Sequence, residues 1–195
     1  CTFAESLILP DTKQPLKLLP WQVSVYANLY GFVYKKNPER RRFRKAFVFV
    51  ARKNGKTAGL LYANCLYQFI TENAAESYLI SATGDQSEKS FKEVSQIIKA
   101  NSDLDSVCDC WSNAITFDSS RLAFFSSETT ALDSYRPNFA CLDEFWNFAT
   151  NKPLTAMAYG SRARTNGLVL IITTAGIGTE SPCYTEYQKA KHILD

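Results

Sequence analysis

The sequence lacks any apolar run long enough to cross a bilayer. A spanning helix needs about 18 or more apolar residues in succession, and the longest candidate, Leu168 to Ala175, is only strand-length. It carries a single histidine, which leaves little material for an imidazole metal site. Its six cysteines (Cys1, Cys65, Cys108, Cys110, Cys141, Cys183) are scattered, and only Cys108 and Cys110 are close. A C-x-C pair with a single histidine in the whole chain is poor material for a zinc site. The expectation is free thiols in a reducing cytosol, with Cys65 and Cys141 as small core residues. The amino-terminal stretch lacks the basic, apolar and small-residue layout of a signal peptide. It also lacks an initiator methionine, so the chain is expected to begin inside a longer gene product. No repeat, low-complexity tract or clear linker interrupts it.

What remains is the material of one globular domain. The 195 residues are 46% hydrophobic and 21% charged, enough to bury a core and too apolar for disorder. The net charge of +3 is too slight to demand an anionic partner. Its distribution is more telling, because Lys35, Lys36, Arg40, Arg41, Arg42, Arg44 and Lys45 cluster together. Such a run is most often a solvated loop, and less often a face for phosphate or nucleic acid.

Strand and helix patterns alternate. Leu19 to Phe32 has helical spacing with Pro20 in the first turn. Residues 33–45 form a polar, basic connection. Ala46 to Ala51 is an apolar strand, followed by a helix from about Thr57 to Glu72. Ser77 to Ala82 is a second strand. Asp85 to Ala100 is an amphipathic helix with Phe91, Val94, Ile97 and Ile98 on one stripe. Ala114–Phe117 and Leu122–Ser126 bracket a hairpin turn at 118–121. Asn138 to Leu142 is a strand, 152–164 a helix, Leu168 to Thr174 a buried strand, and 181–194 a helix. The alternation predicts a layered α/β fold with a largely parallel sheet.

The chemistry concentrates at three strand ends. The stretch AFVFVARKNGKT at 46–57 is strand, tight turn and Gly-Lys-Thr, then helix, the layout of a phosphate-binding loop. The backbone of Arg52, Lys53, Asn54 and Gly55 would cradle phosphates, with Gly55 allowing close approach. Lys56 would meet the β- and γ-phosphates of ATP, and Thr57 would offer its hydroxyl to Mg²⁺. The pattern G-x-x-x-x-G-K-[ST] asks for glycine at position 50, where this chain has valine. The second strand end is Asp143-Glu144 after FACL. Acids there also suit a helix start. Beside a phosphate loop, Asp143 would hold Mg²⁺ and Glu144 would activate the attacking water. The third is Thr173-Thr174-Ala175-Gly176, where hydroxyls could reach the γ-phosphate or the water; ordinary strand-end threonines are the plainer alternative.

Together, VARKNGKT at 50–57, ACLDE at 140–144, ITTAG at 172–176 and LPWQ at 19–22 resemble the ATPase domain of tailed-phage terminase large subunits of the HK97-like branch. That family's loop commonly lacks the first consensus glycine, so Val50 fits. The resemblance spans about Leu19 to Leu194. It implies a P-loop NTPase of the additional-strand type, a three-layer α/β/α sandwich. By the same resemblance, Gln22 looks like the adenine-contacting glutamine, with an ordinary surface helix glutamine as the alternative. Trp21 is a candidate to stack on the base, with core packing as the alternative. Arg52 is a catalytic candidate that faces the γ-phosphate or transmits its state, and 173–176 is the coupling segment. An arginine finger is expected from a neighbouring subunit, with Arg136, Arg164 and Arg121 as candidates.

The implied function is ATP-driven packaging of double-stranded DNA in the host cytoplasm. The implied partners are a terminase small subunit, a portal protein and further copies of the chain in a ring. No membrane partner is expected. The family's RNase H-like nuclease domain is expected to be absent from residues 1–195, and no nuclease activity is expected of this chain. Two alternatives stay open at this stage: another additional-strand ATPase such as a helicase, and a module that binds nucleotide without turnover.

Overall fold

The structure, a computed structural model, describes residues 1–194. The strands are β1 (Val33–Tyr34), β2 (Asn37–Arg41), β3 (Lys45–Phe49), β4 (Glu76–Ser81), β5 (Asp109–Cys110), β6 (Ala114–Phe117), β7 (Ser120–Ser126), β8 (Phe139–Asp143) and β9 (Leu168–Thr173). The helices are α1 (Thr2–Ser6), α2 (Pro20–Gly31), α3 (Ala63–Thr71), α4 (Gly84–Ala100), α5 (Ser102–Asp105), α6 (Lys152–Gly160) and α7 (Pro182–Leu194).

Seven strands form one sheet in the order β3-β9-β8-β4-β7-β6-β5. The first five run parallel, and β6 and β5 add an antiparallel edge. Parallel strands are covered on both faces, which explains the unbroken apolar run LVLIIT of β9. Successive residues point to opposite sides. Leu168, Leu170 and Ile172 enter one core with Leu66 and Phe69 of α3 and Val94 and Ile98 of α4. Val169 and Ile171 enter the other with Leu154 and Met157 of α6 and Cys183 of α7. Two cores on two faces of one sheet make the expected three-layer α/β/α sandwich.

Several boundaries differ from the sequence expectation. The connection at 33–45 contains the hairpin β1–β2. Strand β2 reads NPERR and is mostly exposed, so no apolar period marked it. Ser120 and Arg121 belong to β7, and the turn closes on Asp118 with φ of 51°. The helix after the Gly-Lys-Thr turn opens with a π-helical segment, Thr57–Tyr62. The helix at 152–164 is α only to Gly160 and ends in a tighter 3-10 turn. Cys65 and Cys141 are fully buried as expected, and burial pushes both thiols well above the usual range. Among the described residues no helix is long and apolar enough to cross a membrane.

Candidate nucleotide site

The ARKNGKT segment leaves the carboxyl end of β3 at Val50 and turns back into the π-helical segment. Its two left-handed residues are Lys53, φ 63°, and Gly55, φ 75°. Position 50 is not among them, so the missing glycine removes no conformation that the loop uses. Val50 instead contributes its carbonyl oxygen, which accepts from Lys56 Nζ at 2.8 Å. The Lys56 side chain is buried, and its ammonium lies 4.0 Å from Glu144 Oε1. Arg52, Lys53, Asn54 and Thr57 are exposed around it.

Helix α2 braces the loop from below. Gln22 is buried with both halves of its carboxamide engaged. Its Oε1 accepts from the Leu19 N–H at 2.7 Å, and its Nε2 donates to Gly55 O at 2.8 Å. One turn further along α2, Tyr26 donates its hydroxyl to Gly59 O at 3.0 Å. A Cβ at Gly59 would stand 2.4 Å from Gln22 Nε2, so only glycine leaves room for this glutamine. Trp21, beside it, packs against the core.

Strand β9 lies between β3 and β8, so the third motif separates the other two in space. The N–H of Val50 donates to Thr173 O at 3.1 Å. Thr174 donates its hydroxyl to Glu144 Oε2 at 3.4 Å. Glu144 itself occupies the left-handed region, φ 51° and ψ 49°, immediately after β8. A non-glycine residue there stores about 1–2 kcal/mol, and such strain gathers at working sites. Lys56, Asp143, Glu144, Thr173 and Thr174 therefore converge at the carboxyl ends of adjacent strands, where open α/β sheets bind ligands.

Burial, then the neighbouring Glu144 carboxylate, pushes Asp143 up to about 6; Lys56 pulls it partly back. A divalent cation held here would relieve the two neighbouring carboxylates. Among the described residues no three histidine, cysteine, aspartate or glutamate side chains form a metal cage. The Thr57 hydroxyl and the Asp143 carboxylate are hard oxygen donors, few in number. That suits Mg²⁺, which takes its remaining ligands from phosphate and water.

The three arginine-finger candidates sit elsewhere. Arg121 stands in the second position of β7, paired in register with Glu76 at the start of β4. Arg164 lies 3.9 Å from Glu76 and donates to Arg136 O at 2.9 Å. All three therefore mark the amino ends of the strands, about 17–20 Å from the other end for strands of this length. None can reach the loop of its own chain.

Sequence reasoning missed Trp146 and Tyr26. Trp146 donates its indole N–H to Glu144 Oε2 at 2.7 Å, and its position two residues after the acid was the available signal. Nothing in the sequence marked the Tyr26 hydroxyl.

Residues 20–192 match the family model described as terminase large subunit, ATPase domain. The chain belongs to that family. The fold of this terminase domain is similar to the crystal structure of the HK97 bacteriophage large terminase, with TM-score 0.81 and 21% identity over 100% of the chain. The large terminase of a thermophilic bacteriophage gives TM-score 0.62 at 12% identity over 91% of the chain. The Thermus phage P74-26 large terminase ATPase domain gives 0.54 at 15% over 79% of the chain and 70% of that domain. A stretch of 63 residues is 36% identical to protein YmfN of Escherichia coli K12. The terminase domain spans 41% of the HK97 protein, 44% of the thermophilic-phage protein and 14% of YmfN.

Proposed function

We propose that this domain hydrolyses ATP at the Lys56–Glu144 site and uses the energy to move double-stranded DNA during phage genome packaging. The observation that carries the proposal is the meeting of Lys56 and Glu144, 4.0 Å apart, across the threonine-ended strand β9. An ammonium beside a carboxylate at a phosphate loop is the pair that phosphoryl transfer to water needs. Family membership supports nucleotide use.

In this reading the loop amides and Lys56 hold the β- and γ-phosphates. Thr57 and Asp143 would hold Mg²⁺, which when bound would offset the negative charge on the phosphates. Glu144 takes a proton from water as its oxygen attacks the γ-phosphorus. The bond from phosphorus to the ADP oxygen breaks, and that oxygen keeps the electron pair. Thr173 and Thr174 touch both the loop and Glu144, so they are positioned to pass the change onward through 173–176. Gln22 acts here as a brace for Gly55; contact with adenine would require its carboxamide to leave Gly55 O. Arg136, Arg164 or Arg121 would complete a site only on the neighbouring subunit of a ring. The small subunit, the portal protein and a cytoplasmic setting follow from the same reading.

Glu144→Gln tests it. Hydrolysis should fall about 100- to 10,000-fold, the usual worth of a general base, while affinity for a non-hydrolysable ATP analogue is retained. Lys56→Ala should weaken that affinity itself. Normal turnover in both variants would overturn the site assignment.

A further inference from the structure

Trp146 stands two residues past Glu144, outside every stretch that carries the family resemblance. Its indole N–H meets Glu144 Oε2 at 2.7 Å. Its backbone N–H donates to Thr173 Oγ1 at 3.0 Å. Its ring lies 5.7 Å from the centre of the Arg52 guanidinium, within cation–π range. A Cβ on Gly176 would come within 3.0 Å of Trp146 Cβ, so the backbone after β9 lies close against this side chain. One residue thus touches the phosphate loop, the acid and the segment after β9.

We propose that Trp146 is a positioning residue for hydrolysis, holding one oxygen of Glu144 so that the other faces the reacting water. This deepens the function proposed above and rests on Glu144 being the base. Oε2 takes both donors, Trp146 Nε1 and Thr174 Oγ1. Oε1 is left on the side of Lys56. A glutamate has three rotatable side-chain bonds, and its carboxylate samples many directions unless one oxygen is fixed. A charge-assisted N–H···O⁻ bond is short and directional enough to fix it. Simple packing would need the ring alone; it would not need a nitrogen aimed at the acid.

The same side chain makes the acid sensitive to its neighbours. Movement of Arg52 or of 173–176 shifts Trp146, and with it the oxygen that Trp146 holds. The arrangement therefore links the loop to the acid by contact rather than through the sheet.

Trp146→Phe keeps a ring for Arg52 and removes the N–H. The hydrolysis rate at saturating ATP should fall about 10- to 100-fold, the scale of a misplaced catalytic group. The dissociation constant for a non-hydrolysable ATP analogue should stay within about twofold, less than 1 kcal/mol at about 1.4 kcal/mol per factor of ten. Trp146→His, which restores a ring donor, should recover part of the rate. Turnover of Trp146→Phe at the parent rate would overturn the proposal. So would a fall in rate matched by equal losses in affinity and thermal midpoint, or loss of the fold, because each describes a packing residue. Glu144→Gln separates the two levels. If that variant still turns over, the assignment of the base has failed. If it is inactive while Trp146→Phe is normal, only the role of Trp146 has failed.

Discussion

At the amino ends of the strands, Arg44 donates to Gly167 O at 3.2 Å, Ser161 O at 2.9 Å and Arg164 O at 2.8 Å. Arg41 pairs with Glu72 at 3.3 Å and lies over the Tyr30 ring. At the carboxyl ends, Lys56 meets one carbonyl oxygen and, at 4.0 Å, one carboxylate oxygen. Asp143 and Glu144 share little positive charge there, and Asp143 is raised by burial and by its neighbour. The first set of charges is satisfied by its own chain. The second set is underneutralised and crowded, with backbone strain at Glu144. A run of basic residues in the sequence therefore pointed away from the site, and a single lysine pointed to it. Charge count does not separate structural from chemical roles; the number of partners each charge already has does.

Removing a structural charge should break stability and spare binding. Arg44→Ala strips donors from three carbonyls that tie β3 to the approach to β9. Hydrogen bonds to charged groups are worth about 1.5–3 kcal/mol each, and water will replace some of them, so about 2–4 kcal/mol of stability should go. A urea titration measures this, and nucleotide affinity of the folded fraction should be unchanged. If affinity falls as much as stability, the two ends are not separable.

The next effect belongs to the floor of the site. Gly59→Ala places a methyl 2.4 Å from the buried Gln22 amide nitrogen. Overpacking of this kind costs about 1–3 kcal/mol, and here the cost falls on the brace under Gly55. Affinity for the ATP analogue should drop about tenfold or more, equivalent to about 1.4 kcal/mol, and the urea midpoint should fall by the overpacking cost. An unchanged affinity would show that the Gln22–Gly55 contact does not support the loop.

A smaller effect is expected at the site of the missing glycine. Val50 uses an ordinary backbone conformation and packs partly against the core. Val50→Gly restores the consensus pattern but adds freedom to the unfolded chain and removes that packing. Stability should fall by about 0.5–1 kcal/mol or somewhat more, and affinity should not improve. Tighter nucleotide binding in this variant would mean that valine is a defect after all.

How far the sequence reached depends on the kind of interaction. The parallel strands were readable because burial on both faces leaves continuous apolar runs such as LVLIIT. The sequence singled out the Gly-Lys-Thr turn and the acidic pair by their residue types, and the fold brings Lys56 and Glu144 within 4.0 Å of each other. The hairpin β1–β2 was not, because Arg41 anchors it through hydrogen bonds and a cation–π contact instead of apolar periodicity. The π-helical start after the loop was not, because it is braced by Tyr26 and Gln22 from a distant helix. Trp146 was not legible because a tryptophan after a strand ordinarily signals packing, and only the fold brings its indole N–H to 2.7 Å from Glu144, the contact on which its proposed role rests.

The smallest expected effect tests the satisfied end again, through Lys45, the first residue of β3. Lys45 and Lys56 flank the same strand. Lys45 pairs with Glu186 of α7, which also binds Lys189 at 2.8 Å. Burial alone would push the Glu186 carboxyl up, but Lys189 and Lys45 outweigh it and hold the carboxyl below its ordinary range. A carboxyl lowered in the folded state favours folding above its unfolded pKa. That contribution disappears as the pH falls through the folded value. Both lysines are about half exposed, so screening limits the contribution to about 1 kcal/mol or less. Glu186→Gln should therefore cost a small, constant amount of stability near neutral pH, and the difference from the parent should shrink on acidification below the usual glutamate range. Urea midpoints across that range measure it. A difference that persists or grows in acid would mean that the Glu186 carboxylate is not stabilised by its two lysines, and that this end of the strand is less fully paired than its contacts indicate.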